Sequence, residues 1–265
     1  MSSETTQRAL AEFEAGRYRE TRELAIGGLA DRPDDVELLK LAGRSGVELG
    51  RDDAVAQLER ATELAPNDAD AWHALGDALA TEGRNDEAGA AFRKAVELDP
   101  DDQVALTHLG HTSFASGRDE EGVNYLAQVV EQQRGRSTAA ISLVDMYRTL
   151  GQPDQALVQA RRIVEAAPDD VMATLDVAEL SLAVGELDEA MAAFRRLREL
   201  DETAGNEVYQ LHGMIQVELR REDWNAALQL AQEATAADRQ GLTAGVAAFL
   251  EAQISGPGEE PAPTR

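Results

Sequence analysis

Four glycines in this chain, Gly83, Gly117, Gly151 and Gly185, stand 34 residues apart, and the residues around them return in step. Leu75, Leu109, Leu143 and Val177 share one place in the cycle. Ala88, Gly122, Ala156 and Ala190 share another, and Phe92, Leu126, Ala160 and Phe194 a third. A period of this length marks one supersecondary unit used repeatedly, each copy burying against its neighbour a face it cannot bury alone. That constraint removes every architecture built around one central core.

Within a unit, apolar residues recur three and four apart, the spacing of one face of a helix. Alanine is abundant and aromatic residues make up only 4% of the chain, which favours closely packed helices over a sheet. Small residues such as Gly76 and Ala88 let two helices approach; a leucine at either place would overpack the contact by about 1–3 kcal/mol. The four periodic glycines are placed to stop the first helix, where a positive φ suits a residue without Cβ. Then come PDD, PND, PDD and PDD, starting at Pro33, Pro66, Pro100 and Pro168. Proline discourages continuation of the second helix, and an aspartate behind it caps the next. Arg134, Glu202 and Arg239 replace the proline elsewhere.

Residues 69–102 carry Trp72, Leu75, Gly76, Ala88, Phe92, Ala95 and Pro100. This pattern resembles the tetratricopeptide repeat, a helix–turn–helix unit of the same period. The resemblance implies an all-α, right-handed superhelical solenoid of about seven units, at roughly 2–35, 36–68, 69–102, 103–136, 137–170, 171–204 and 205–240. The first and last match weakly, the second is one residue short near Arg51, and the last carries about three extra residues around 201–207. Residues 241–254 read as a capping helix. Residues 255–265, rich in Pro, Gly and charge, are expected to be disordered. The segment 132–137, QQRGRS, lacks the proline and reads as a softer joint.

The formal charge of −25 argues against phosphate-backbone and anionic-membrane partners. The basic residues are nearly all arginine, Lys40 and Lys94 being the two lysines, which reads as compositional bias. Without cysteine there is no disulfide, thiolate metal site or thiol nucleophile. No secretory signal or membrane-length apolar run is visible, so a cytoplasmic location is expected. There is no glycine-rich phosphate loop, Gly-x-Ser-x-Gly turn or His-Glu-x-x-His helix, and pairs such as Asp169 and Asp170 read as helix caps. A non-enzyme without cofactor follows.

His108 and His111 lie three apart, with His73 one unit earlier, but spacing alone does not bring three or four ligands to one zinc ion, and no metal is expected. If Asp77 and Asp145 flank His111, its pKa is predicted to rise, making it a pH-sensitive position.

The family resemblance further implies that the first helix of each unit lines a concave groove. Residues at matching places there include Phe114, Ile141, Met172, Leu175, Leu182 and Tyr209, large groups the fold does not need, with Asp145, Arg148 and Glu179 among them. Exposed contiguous apolar surface marks an interaction site. The expected function is a protein–protein interaction scaffold, its groove holding a partner peptide or helix with apolar anchors and basic residues. Internal packing of these residues is the alternative for the site. Self-assembly, with a terminal repeat docking into the groove of another copy, is the alternative for the function. Lys40 and Arg44 resemble one edge of the clamp by which some family members bind chaperone tails. Ala74 and Val104, where that clamp needs asparagine and lysine, argue against it.

Overall fold

The computed structural model describes residues 4–133, 137–200, 204–238 and 243–255. Among these, fifteen α-helices occur and no strand. The chain divides into two compact units, Met1–Gln132 and Gln133–Arg265. The division falls within the stretch expected to be a softer joint, of which residues 134–136 lie outside the described residues.

The first unit stacks four helical hairpins: α1 (Glu4–Glu14) with α2 (Tyr18–Asp31), α3 (Val36–Glu48) with α4 (Ala54–Leu64), α5 (Ala69–Thr81) with α6 (Asn85–Leu98), and α7 (Gln103–Ala115) with α8 (Asp119–Gln132). The second stacks α9 (Thr138–Thr149) with α10 (Pro153–Ala166), α11 (Val171–Val184) with α12 (Leu187–Leu200), and α13 (Ala204–Arg220) with α14 (Trp224–Ala237). A last helix, α15 (Ala244–Ser255), packs on α14 through buried Ala247 and Leu250. The expected insertion around 201–207 is only partly visible, since 201–203 lie outside the described residues. So does the tail from 256, while Ser255 closes α15.

Local chemistry sets these boundaries as the sequence predicts. Gly83, Gly117, Gly151 and Gly185 all adopt positive φ, between 66° and 88°. Asp35 accepts the Leu38 N–H, Asp68 that of Ala71, Asp102 those of Val104 and Ala105, and Asp170 those of Met172 and Ala173. Each is the third residue of a Pro-x-Asp triplet, and such a cap is worth about 1 kcal/mol. Before α9, where the proline is missing, the Ser137 hydroxyl accepts the Ala140 N–H instead.

The seventh hairpin turns without glycine: Glu222 sits at φ 61°. A side chain in the left-handed region costs about 1–2 kcal/mol, partly offset because glycine loosens the unfolded chain. Glu222→Gly is therefore expected to stabilise the protein by about 0.5–1 kcal/mol, read as a higher urea midpoint at unchanged slope. A lower midpoint would show that the Glu222 side chain has a stabilising role.

Packing between paired helices follows one rule. A Cβ added at Gly76 on α5 would come 2.6 Å from the ring of Phe92 on α6, which has no accessible surface. Gly43 with Leu58 and Gly110 with Leu126 repeat the arrangement, and Gly213 on α13 receives Phe194 from α12 of the preceding hairpin in the same way. A residue lacking a side chain on the first helix thus receives a large apolar one from the second. No helix among the described residues is long and apolar enough to cross a membrane.

Candidate partner-binding face

In the second unit, α9, α11 and α13 are the first helices of their hairpins, and they carry most of the residues singled out from sequence. Met172 is 61% exposed, Tyr209 48% and Ile141 36%, so these three present apolar surface to solvent. Leu175 and Leu182 are half-buried. At that burial they protrude less than the other three.

Polar groups tie the three helices together. The guanidinium of Arg148 on α9 donates to Asp176 and to Glu179 on α11, each at 2.6 Å. The second oxygen of Glu179 accepts the hydroxyl of Tyr209 on α13. Burial pushes the Asp176 carboxyl above its ordinary pKa; Arg148 opposes this, while Asp145 and Glu179 reinforce it. Tyr209 is pushed up to about 12, chiefly by its hydrogen bond to Glu179. Three carboxylates, including that of exposed Asp145, thus surround one guanidinium, leaving the face negative. Partly exposed pairs contribute about 0–1 kcal/mol each, so the network fixes orientation more than it stabilises.

Asp176 is the residue that the sequence analysis missed. It stands 28 positions from Arg148, whereas residues were compared at the full period of the repeat.

Phe114 and His111 belong to α7, in the first unit. Phe114 is partly buried; its Cβ lies 3.0 Å from where a Cβ on Gly122 would stand. For His111 the expected rise in pKa is reversed. Burial lowers it first, and the charge of His108 lowers it further. Asp77 pairs with the neighbouring imidazole, its Oδ1 2.7 Å from His108 Nδ1.

Lys40 is buried and held by Glu37, Asp68 and Asp70 at 2.9–3.1 Å. Burial disfavours its charge, but the hydrogen bonds that the ammonium donates to these carboxylates outweigh that and raise its pKa. Arg44 pairs with Asp70 and lies over the Phe13 ring. Both basic residues compared with the chaperone-tail clamp are thus engaged within the protein.

Two family models, both described as tetratricopeptide repeat, match the chain, one over residues 50–103 and 141–206 and the other over 79–144. Among solved structures, the C-terminal part of a TPR repeat-containing protein from Cytophaga hutchinsonii superposes with a TM-score of 0.76 at 14% identity. That match covers 91% of this chain and 98% of the other. YrrB, described as a TPR protein with an unusual peptide-binding site, aligns at TM-score 0.58 and 21% identity over 72% of this chain and 97% of its own. MamA AMB-1 aligns at 0.53 and 24% over 62% and 90%. Identities this low establish likeness of fold. Comparison with functionally curated proteins finds no significant match.

Proposed function

This chain belongs to the tetratricopeptide repeat family, and on that premise we propose that it is a non-enzymatic interaction scaffold that binds a peptide or helical segment of a partner protein. The binding face is formed by α9, α11 and α13. One observation carries this reading: Ile141, Met172 and Tyr209 stand exposed on the first helices of successive hairpins, framed by Asp145, Asp176 and Glu179. Apolar groups exposed beside a negative frame suit a segment with large apolar side chains next to lysine or arginine. Leu175 and Leu182 form the floor, and Arg148 holds the carboxylates in register. A relative of the same fold is described as having a peptide-binding site, which supports this class of ligand.

Peptide display against the whole protein tests it. Wild type is expected to select sequences pairing a basic residue with large apolar neighbours. An Ile141→Glu, Met172→Glu double variant, altered only at exposed positions, is expected to bind the selected peptides at least about tenfold more weakly, the usual scale for losing a contact near the centre of an interface. Selection without that preference, or equal affinity for both proteins, would overturn the proposal.

A second reading, self-association through the chain's end, is favoured by α15, which leaves Phe249 58% and Ile254 40% exposed. Sedimentation velocity over a range of concentrations tests it, since self-association raises the sedimentation coefficient with concentration and a monomer throughout would exclude this reading.

A further inference from the structure

The first unit contains a group of side chains that the interaction role does not use. His73 and Asp77 lie four apart on α5, hence on one helix face, and His108 comes from the matching face of α7. The Asp77 carboxylate stands between the two imidazoles: Oδ1 is 2.7 Å from His108 Nδ1, and Oδ2 is 3.6 Å from His73 Nε2. One donor atom from each of the three lies within 4.8 Å of the other two.

We infer that His73, Asp77 and His108 form a binding site for a divalent transition cation of zinc's class, one hairpin supplying two ligands and the next supplying the third. Two imidazoles and a carboxylate are the donor set of borderline-soft cations, and such a set leaves further positions open to solvent. Bonds of about 2.0–2.1 Å in tetrahedral geometry require donor atoms about 3.3 Å apart. The group must therefore contract by no more than about 1.5 Å.

Two features outside the three ligands fit this assignment. The other ring nitrogen of His73, Nδ1, lies 3.3 Å from Asp102 Oδ2. With Nε2 on the cation, Nδ1–H donates to that carboxylate, the outer-shell partner that fixes the tautomer and orientation of a ligating histidine. Asp102 is itself immobilised, because its other oxygen caps α7. Phe92, seated against Gly76, backs both rings edge-on, with centroids 5.6 Å from His73 and 5.1 Å from His108. The rings are thus held from behind while Asp77 and His108 remain accessible to an incoming ion, at 43% and 38% side-chain exposure.

Titration calorimetry of the chelator-treated full chain with zinc chloride tests the site, beside calcium chloride as a probe of the acidic surface alone. One zinc equivalent per chain is expected to bind much more tightly than calcium. His73→Ala and His108→Ala should each weaken zinc binding by more than about tenfold, and Asp102→Asn by about 10–100-fold. His212→Ala should leave it unchanged. Zinc no tighter than calcium, or zinc binding indifferent to His73 and His108, would overturn the inference. Because a variant may misfold, the wild type provides a separate reading. Zinc should shift the imidazole nitrogen resonances of His73 and His108 and leave those of His212 in place; unmoved resonances at His73 and His108 would sink the assignment.

Discussion

Replacing Phe92 with alanine is expected to cost about 3–5 kcal/mol, the range for emptying a fully buried aromatic position. The reason is geometric. Phe92 has no accessible surface and fills the space opened by Gly76 on the facing helix. Domains of ordinary stability have only about 5–15 kcal/mol in total, so the loss should move the denaturation midpoint far. Each hairpin in a stack of repeats rests on its neighbours alone, so hydrogen exchange should rise first in α5, α6 and α7. Phe92→Leu, which keeps much of the volume, should lose clearly less. A loss below about 1 kcal/mol for Phe92→Ala would mean that α5 and α6 close over the gap, and that Gly76 is not holding open a rigid seat.

Gly122→Ala is the second large effect, expected to destabilise by about 1–3 kcal/mol although it adds one methyl group. Its Cβ would stand 2.7 Å from the carbonyl oxygen of Gly110 and 3.0 Å from the backbone nitrogen of Phe114. Neither is a side chain that can rotate aside, so α7 and α8 must separate. Gly27→Ala provides the control. Gly27 is exposed inside α2 and a Cβ there meets nothing within 4 Å. Alanine's helix propensity should then stabilise by up to about 1 kcal/mol. The same chemical change is expected to have opposite signs at the two positions, and urea denaturation of both variants measures it. Stabilisation of both variants would show that propensity, not helix–helix clearance, governs Gly122.

Features confined to a few neighbouring residues were legible in the sequence. The glycine stops and the Pro-x-Asp caps act through backbone groups two or three positions away, so the string of letters contains the whole interaction. The exposure of Ile141, Met172 and Tyr209 also followed from helix phase. Contacts between hairpins were less legible, for one physical reason. Equivalent residues stand a full period apart in the chain, but the side chains that meet between neighbouring hairpins are separated by less. Arg148 meets Asp176 and Glu179, 28 and 31 positions on; His73 meets Asp102 at 29, and Asp77 meets His108 at 31. Packed helices cross at an angle and lean on one another, so a residue faces a point about one turn before its equivalent. That offset is why Asp176 went unnoticed, and why Asp77 was assigned to His111 instead of His108. Leu175 and Leu182 fell between the two cases, being half-buried where helix phase predicted exposure.

The Pro-x-Asp junctions have a consequence for heredity. Each ends one hairpin and begins the next within a handful of codons, its cap closing on backbone N–H groups two or three residues further on. A gene segment duplicated or deleted in phase therefore brings its own punctuation and needs to suit only the surfaces it newly adjoins. Growth and shortening by whole hairpins is thus the cheapest change open to such a gene, and variation in hairpin number among its descendants is the natural result.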